Sequence, residues 1–296
     1  GPVVEHDASL LTLPCLFDAQ SGKTPDAVAL IYEDQHLSYG DLASRSNQLA
    51  RYLIERGVGP DDVVAILLDR SFEMIVAMLG VLKAGGAYLP LDPKNPSQRL
   101  SFMIGDSGSV FVISDGDLYA GLDPQDAVLP PQIDIYDAAL LQQLEALPDG
   151  VIAPSERIAP LQPDHLAYLI YTSGSTGTPK GAGNTYKGVS NSLSQLKDLL
   201  QLDASDRVLQ QTAIGFDGAV WEWFVPLMSG AQLVIAKPGG QKDLDYIIKM
   251  INEHTVTTLL FVPSMLSVFF EKLGVKDCHS LRHVVAGGEA LTGSLQ

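Results

Sequence analysis

Residues 166–181 read Leu-Ala-Tyr-Leu-Ile-Tyr-Thr-Ser-Gly-Ser-Thr-Gly-Thr-Pro-Lys-Gly. The apolar run from Leu166 to Tyr171 predicts a buried strand, and a helical pattern of apolar residues resumes at about Val189. Between them lies a short segment of hydroxyl side chains and glycines that ends near Lys180. Glycines let backbone N–H groups approach an anion, hydroxyls add hydrogen-bond donors, and lysine adds positive charge. The segment therefore predicts a phosphate-binding loop.

The spacing of this loop excludes two other kinds of site. A Walker A loop has a glycine directly before its lysine and Ser or Thr after it, whereas Lys180 lies between Pro179 and Gly181. A hydrolase nucleophile elbow has a glycine two residues before the nucleophile, but Ser173 precedes Ser175 here. A flexible Gly/Ser linker is the structural alternative. The shortness of the segment and the buried strand before it favour phosphate binding.

Composition narrows the class of protein. The chain has 296 residues, of which 46% are hydrophobic, and this length can bury the core of two lobes. The formal charge is −16 and the basic residues are scattered singly, so no nucleic-acid partner is expected. The longest apolar stretch, Met74 to Leu91, is broken by charged, glycine and proline residues, which argues against a membrane span. Two distant cysteines suit reduced thiols, and a cytoplasmic location is expected.

The order of predicted elements indicates an α/β fold. Short apolar runs alternate with helical patterns, which is typical of a doubly wound, largely parallel sheet. Residues 115–163 are rich in Asp, Pro, Gln and Ala and predict a surface connection with one helix. We therefore divide the chain into a leader (1–10, opening with a cloning scar), a first lobe with its connection (11–160), and a second lobe (161–296) with the loop and substrate pocket.

The loop at 166–181 resembles the signature phosphate loop of the adenylate-forming superfamily, in the version of nonribosomal peptide synthetase adenylation domains. Residues 37–42 and 82–92 resemble two further core motifs, with Asp41 where Glu is more usual. The resemblance implies an N-terminal core of two packed, doubly wound, largely parallel sheets with flanking helices. It implies activation of an amino acid by ATP to an aminoacyl-adenylate plus pyrophosphate. The implied ATP-phosphate contacts are Thr172, Ser173, Gly174, Ser175, Thr176, Gly177 and Lys180.

The stretch 216–222, Phe-Asp-Gly-Ala-Val-Trp-Glu, matches the family motif whose aspartate binds the α-ammonium of the substrate. A carboxylate at the mouth of an apolar pocket suits a desolvated ammonium, although an aspartate after a strand is also a common helix N-cap. The resemblance implies a pocket for a neutral, apolar or aromatic amino acid. Its implied residues are Asp217, Gly218, Trp221, Leu260, Val284 and Ala286. The implied adenine-binding turn comprises Gly287, Gly288, Glu289 and Ala290.

Cofactors and partners follow from the same resemblance. ATP would arrive with Mg²⁺, and the product would pass to phosphopantetheine on a peptidyl carrier domain, with an MbtH-like protein as a further partner. Cys278, His279 and His283 are too few for a structural zinc site, so no resident metal is predicted. The family usually has His where this chain has Tyr186. The family's later motifs and catalytic lysine are absent from the sequence, so no catalytic residue is assigned and weak or no isolated activity is expected.

Three functions remain open at this point. The first is the adenylation core of a peptide synthetase, which Asp217 favours. The second is an acyl- or aryl-acid ligase of the same superfamily, whose substrate has no ammonium for Asp217 to bind. The third is a non-catalytic module that keeps the fold and docks partners.

Overall fold

The computed structural model describes residues 12–123, 128–172, 178–272 and 274–290. Helices and strands alternate along the chain in the following order: α1 (Leu13–Lys23), β1 (Val28–Tyr32), β2 (Gln35–Ser38), α2 (Tyr39–Glu55), β3 (Val63–Leu67), α3 (Phe72–Ala84), β4 (Ala87–Leu91), α4 (Ser97–Asp106), β5 (Phe111–Ser114), α5 (Gly116–Ala120), β6 (Gln132–Asp134), α6 (Ala138–Glu145), β7 (Leu166–Thr172), β8 (Lys180–Thr185), α7 (Tyr186–Leu200), β9 (Arg207–Gln210), α8 (Gly218–Ser229), β10 (Gln232–Ile235), α9 (Leu244–Glu253), β11 (Thr258–Phe261), α10 (Pro263–Glu271) and β12 (His283–Ala286).

The chain forms two compact units. Unit 1 comprises residues 1–23 and 40–192, and unit 2 comprises residues 24–39 and 193–296. Each unit contains one six-stranded sheet in which one edge pair is antiparallel and the other pairs are parallel. The predicted fold class, two largely parallel sheets with flanking helices, is confirmed. None of the helices in the described ranges is long and apolar enough to cross a membrane.

Sheet 1, in unit 1, has the strand order β6-β5-β3-β4-β7-β8. All five residues of β3 and of β4 are buried, as expected for central parallel strands covered on both faces. The α4 side chains Leu100, Met103 and Ile104 pack against one face of these strands. The carboxyl ends of five parallel strands therefore lie along one edge of sheet 1, and β7 delivers its last residue, Thr172, to that edge.

Helix α3 lies in the core of unit 1, and every residue except Glu73 is buried. Its N-cap Ser71 accepts a hydrogen bond from the backbone of Met74, and its C-cap Gly85 has φ of 101°, which favours glycine. Near this end the fully buried Lys83 ammonium contacts Asp18 Oδ1 at 2.8 Å and Asn47 Oδ1 at 2.6 Å, so a buried ion pair joins α1, α2 and α3.

Sheet 2, in unit 2, has the strand order β12-β11-β9-β10-β1-β2. Helices α9 and α10 cover one face through Ile247, Ile251 and Phe269, which pack on Leu259 and other strand residues. Because side chains alternate along a strand, neighbours of Leu259 such as Leu260 point to the opposite face. The carboxyl ends of β9, β11 and β12 meet at one edge of sheet 2, and the segments that leave this edge carry the predicted substrate residues.

Two sequence-based expectations about the fold need correction. The connection predicted at 115–163 holds more than one helix, because α5 and strand β6 also lie within it and β6 pairs with β5. A three-residue strand such as β6 is too short to show an alternation of apolar and polar residues in the sequence. The phosphate segment is followed by strand β8, whose Gly-rich sequence gives no strand signal. Strands β7 and β8 complete sheet 1 and lie in unit 1, whereas the predicted lobe boundary at residue 160 stays a prediction.

Candidate functional site

The ends of β7 and β8 define the base of the predicted phosphate loop. The two strands pair in antiparallel register, and Thr172 opposite Lys180 is the last pair before the loop. The loop therefore closes a hairpin rather than leading directly into a helix. Both Thr172 and Lys180 are exposed, and within the described ranges the Lys180 ammonium has no hydrogen-bond or ion-pair partner. The other predicted phosphate contacts lie outside the described residues: Ser173, Gly174, Ser175, Thr176 and Gly177.

In unit 2, Asp217 lies between β9 and α8. It occupies the N-cap position of α8, and its Oδ1 accepts a hydrogen bond from the backbone of Gly218 at 2.8 Å. The side chain is exposed, and no cation in the described part of the chain pairs with it. The helix-cap alternative is thus observed, and the carboxylate is at the same time accessible to a cationic group from outside.

A buried carboxylate fixes the segment before Asp217. Glu222 of α8 is fully buried and accepts hydrogen bonds from the backbone of Gln211 at 3.2 Å and of Thr212 at 2.9 Å, and from Thr212 Oγ1 at 2.6 Å. Charge-assisted hydrogen bonds of this kind are stronger than neutral ones. They hold the exit of β9 against α8. The sequence analysis included Glu222 in the substrate motif but assigned it no role. Its spacing of five residues from Asp217 does not predict hydrogen bonds to Gln211 and Thr212.

Leu260 contacts two of the predicted small residues. A Cβ placed on Gly218 would lie 3.2 Å from Leu260 Cδ2, and one on Gly287 would lie 3.6 Å from Leu260 Cδ1. The buried Leu260 side chain therefore packs close to the backbone of both glycines. The geometry therefore brings Gly218, Leu260 and Gly287 together next to Asp217. Trp221 is buried within α8.

Two predicted pocket residues lie on the other face of sheet 2. In the ladder between β11 and β12, Leu260 pairs with Val285, whereas Leu259 pairs with Val284 and Phe261 with Ala286. Since paired residues of parallel strands share a face, Val284 and Ala286 point away from the Leu260 side chain. Ala286 packs instead on the core beneath α9 and α10. Val285 and Gly287 lie on the face of Leu260, and the pocket role of Val284 and Ala286 stays a prediction.

The predicted adenine turn begins where β12 ends. Gly288 has φ of 84°, a left-handed conformation that favours glycine, and a Cβ there would lie 3.4 Å from Val262. Glu289 accepts hydrogen bonds from Ser264 through the backbone N–H at 3.2 Å and the hydroxyl at 3.3 Å. Because Ser264 lies in the first turn of α10, Glu289 sits at the positive end of that helix. The turn containing Gly287, Gly288, Glu289 and Ala290 is thus attached to α10.

Tyr186, which departs from the family's usual His, lies in the core of unit 1. It is fully buried, and its hydroxyl lies 3.1 Å from Leu82 O and 3.0 Å from Gly86 O. Burial raises the pKa of this phenol far above its ordinary value, so the hydroxyl remains a donor. These contacts describe a packing residue between α3 and the start of α7.

No group of three or more His, Cys, Asp or Glu side chains in the described ranges is arranged to hold a metal ion. Cys278 is a buried free thiol, and burial raises its pKa. The carboxylate nearest the adenine turn, Glu289, is engaged at the α10 terminus.

Comparison with known proteins agrees with this arrangement. The chain is 40% identical over 280 residues to tyrocidine synthase 3 of Brevibacillus parabrevis, a match that covers 95% of this chain and 4% of that protein. It resembles a solved nonribosomal peptide synthetase, FmoA3 in an AMPPNP-bound form, with a TM-score of 0.85 and 28% identity over 99% of this chain and 30% of that one. It also resembles the N-terminal subdomain of NpsA from Klebsiella oxytoca, with a TM-score of 0.82 and 26% identity over 97% of this chain and 70% of that one.

The chain thus spans only part of the length of these relatives. The family model described as AMP-binding enzyme matches residues 17–296. That range includes the hairpin in unit 1 and the Asp217 and Gly288 segments in unit 2. The predicted resemblance to peptide synthetase adenylation domains is confirmed. The chain belongs to the AMP-binding enzyme family.

Proposed function

We propose that the chain binds ATP and an amino acid, and that the protein to which it belongs joins them as an aminoacyl-adenylate with release of pyrophosphate. Asp217 carries the amino acid part of this proposal. Its carboxylate is exposed, has no cationic partner in the described ranges, and belongs to the residue before Gly218, which lies close to the apolar Leu260 side chain. An α-ammonium placed there would gain a charge-assisted hydrogen bond.

The ATP part rests on two separate segments. In unit 1, Lys180 and Thr172 at the base of the hairpin offer an ammonium and a hydroxyl to phosphates, together with the loop residues that follow Thr172. In unit 2, Gly287 and Gly288 present backbone without side chains, which suits contact with a flat base. ATP would bring Mg²⁺, which supplies charge neutralisation to the phosphates when bound. Membership of the AMP-binding family supports both assignments.

The acyl group would then pass to the phosphopantetheine thiol of a peptidyl carrier domain, and an MbtH-like protein is a further candidate partner. These steps rest on the similarity to peptide synthetases. The carboxylate-activating reaction itself would use groups outside this chain, so Asp217 is assigned substrate binding and no residue is assigned the transition state. An acyl- or aryl-acid substrate is the competing proposal, since it needs no partner for Asp217.

Calorimetry on this chain tests the assignment of Asp217. Amino acids would be compared with the same acids lacking the α-amine, in the wild type and in Asp217→Asn. Asparagine is also a good N-cap, so this variant should keep α8 while losing roughly tenfold or more in amino acid affinity. The matched control is Asp243→Asn, because Asp243 caps α9 in the same unit through hydrogen bonds to Asp245 and Tyr246.

Three outcomes separate the proposals. Binding of amino acids, weakened only in Asp217→Asn, supports amino acid recognition. Equal binding of the deaminated acids, unchanged in the variant, would establish the acyl- or aryl-acid alternative. No binding of either class, with no ATP–pyrophosphate exchange in the longer protein that carries this chain, would favour a non-catalytic module.

A further inference from the structure

Strand β8 carries Lys180 but has few stabilising contacts of its own. It is the edge strand of sheet 1, paired on one side with β7, and its first four residues are exposed. Two of its six residues are glycines, which add conformational freedom and no packing of their own. If Lys180 is to hold a phosphate group in a fixed place, another residue must fasten this end of the hairpin.

Tyr171 of β7 contacts both β8, at Gly181, and helix α4, at Asp106. It is the partner of Gly181 in the ladder, one pair before Thr172 and Lys180. Its ring covers the glycine, because a Cβ placed on Gly181 would lie 3.2 Å from Tyr171 Cζ and 3.3 Å from Leu169 Cδ1. A side chain at position 181 would therefore displace the ring. Aromatic cover of a strand glycine in this manner is a known way to stabilise an edge.

The hydroxyl of Tyr171 extends this contact to α4. It donates a hydrogen bond of 2.6 Å to Asp106 Oδ2, and Asp106 is the last residue of α4. A carboxylate at a helix C-terminus interacts unfavourably with the helix dipole, so Asp106 does not stabilise α4 in this way. Burial and the neighbouring Asp106 raise the pKa of Tyr171, which keeps the phenol protonated as the donor.

The direction of these contacts leaves the phosphate side of the hairpin open. Side chains alternate along a strand, so Tyr171 and Gly181 lie on the face of α4, and Thr172 and Lys180 lie on the opposite face. Tyr171, Leu166 and Leu169 pack on the same core beneath α4. The hairpin is thus attached from behind, and the two exposed residues point away from the attachment.

We propose that Tyr171 is a positioning residue for phosphate binding: its ring on Gly181 and its hydroxyl on Asp106 fix the end of β8, and with it Lys180. This inference rests on the proposed ATP function of the hairpin. Tyr171 touches no phosphate in this account and acts through Gly181 and Asp106. Loss of its hydroxyl should weaken binding of the triphosphate and leave binding of the base and sugar unchanged.

The test compares the affinities of ATP and adenosine for the same variants of this chain. Tyr171→Phe and Asp106→Ala should each raise the Kd for ATP about three- to tenfold, with no further loss when combined, since both remove the same hydrogen bond. The Kd for adenosine should stay within about twofold. The matched control is Tyr119→Phe, which removes a 2.8 Å hydroxyl bond to Pro130 O elsewhere in unit 1.

A second pair of variants tests the ring itself. Gly181→Ala should weaken ATP binding in the wild type, because the new Cβ meets the ring, and should add no loss when Tyr171 is already alanine. Hydrogen exchange without nucleotide adds a readout that does not depend on ATP: the β8 amides should exchange faster in Tyr171→Phe than in Tyr119→Phe.

The outcomes distinguish the two levels of the proposal. If the wild type binds ATP no better than adenosine, the phosphate role of the hairpin is wrong and the positioning role falls with it. If the wild type prefers ATP, and Tyr171→Phe and Asp106→Ala keep that preference in full, then the positioning role alone is refuted. An equal loss in Tyr119→Phe would also refute it, since the effect would then be one of general stability.

Discussion

The buried ion pair in unit 1 gives a sharp prediction for stability. The Lys83 side chain has no exposed surface and Asp18 is 14% exposed, so removal of the aspartate charge by Asp18→Asn leaves a buried ammonium without its anion. Such a loss typically costs 3–5 kcal/mol when both groups are buried. Asn47 remains at 2.6 Å, and the Phe17 ring lies 4.9 Å from the ammonium. Because these contacts persist, we expect Asp18→Asn to lower the free energy of unfolding by about 3 kcal/mol, the lower end of that range.

The same pair predicts how this loss depends on pH. Burial lowers the pKa of Lys83, and the nearby Asp18 carboxylate opposes that shift. Between the lowered folded-state pKa and the unfolded value of about 10.4, the unfolded chain binds more protons, so the stability from this group rises with pH. Asp18→Asn lowers the folded-state pKa further. The cost of the substitution should therefore shrink as the pH rises from about 7 to about 10.

Urea denaturation followed by far-UV circular dichroism measures both effects. Lys83→Met in the Asp18→Asn background should recover most of the loss, because a buried pair replaced by apolar groups is often neutral or stabilising. The matched control is Asp245→Asn, which breaks an exposed pair with Lys272 and should cost about 0.5 kcal/mol or less. The reasoning is refuted if Asp18→Asn costs no more than this control, or if the double variant is as unstable as Asp18→Asn alone.

Two further predictions concern unit 2. Glu222→Gln should cost about 2 kcal/mol, since a buried charged acceptor for Gln211 and Thr212 is lost. Both tryptophans lie in α8 beside Glu222, so tryptophan fluorescence in urea reports the change, and a shift no larger than that of exposed Glu253→Gln would contradict it. Gly288→Ala should destabilise by about 1 kcal/mol because of its positive φ. The control is Gly105→Ala in helix α4, where the new Cβ meets nothing within 4 Å, so this substitution should raise the melting temperature. If Gly288→Ala and Gly105→Ala shift the melting temperature in the same direction, the backbone argument is contradicted.

The sequence was most informative where local pattern and tertiary structure agree. The alternation of short apolar runs with helical patterns predicted largely parallel sheets with flanking helices, which the structure confirms. Strand β8 was missed because its stability comes from the Tyr171 ring and from β7, and its own residues carry no strand preference. Tertiary context of this kind is absent from a single sequence.

The site was predicted unevenly for a related reason. Motif residues in fixed loops, such as Asp217 and Gly288, could be assigned directly from the order of residues. For Val284 and Ala286 the sequence does not give the face, because the face that a strand residue occupies depends on register, so their pocket roles stay predictions. The Glu222 contacts depend on the packing of α8 against the exit of β9, which no spacing rule reveals.

Strands β1 and β2 belong to unit 2, although they precede most of unit 1 along the chain. Strand β1 pairs in parallel with β10, so about 200 residues must be synthesised between Tyr32 and its neighbour near Gln232. At a translation rate of roughly 5–20 residues per second, the β1–β2 pair spends on the order of 10–40 s on the ribosome before β10 is available to pair with β1. Ala29, Leu30 and Ile31 of β1 are buried in the folded protein, and we expect them to be exposed to other nascent chains until β10 is made. Slowed translation before β10 should therefore lower the soluble yield more than an equal pause after β10.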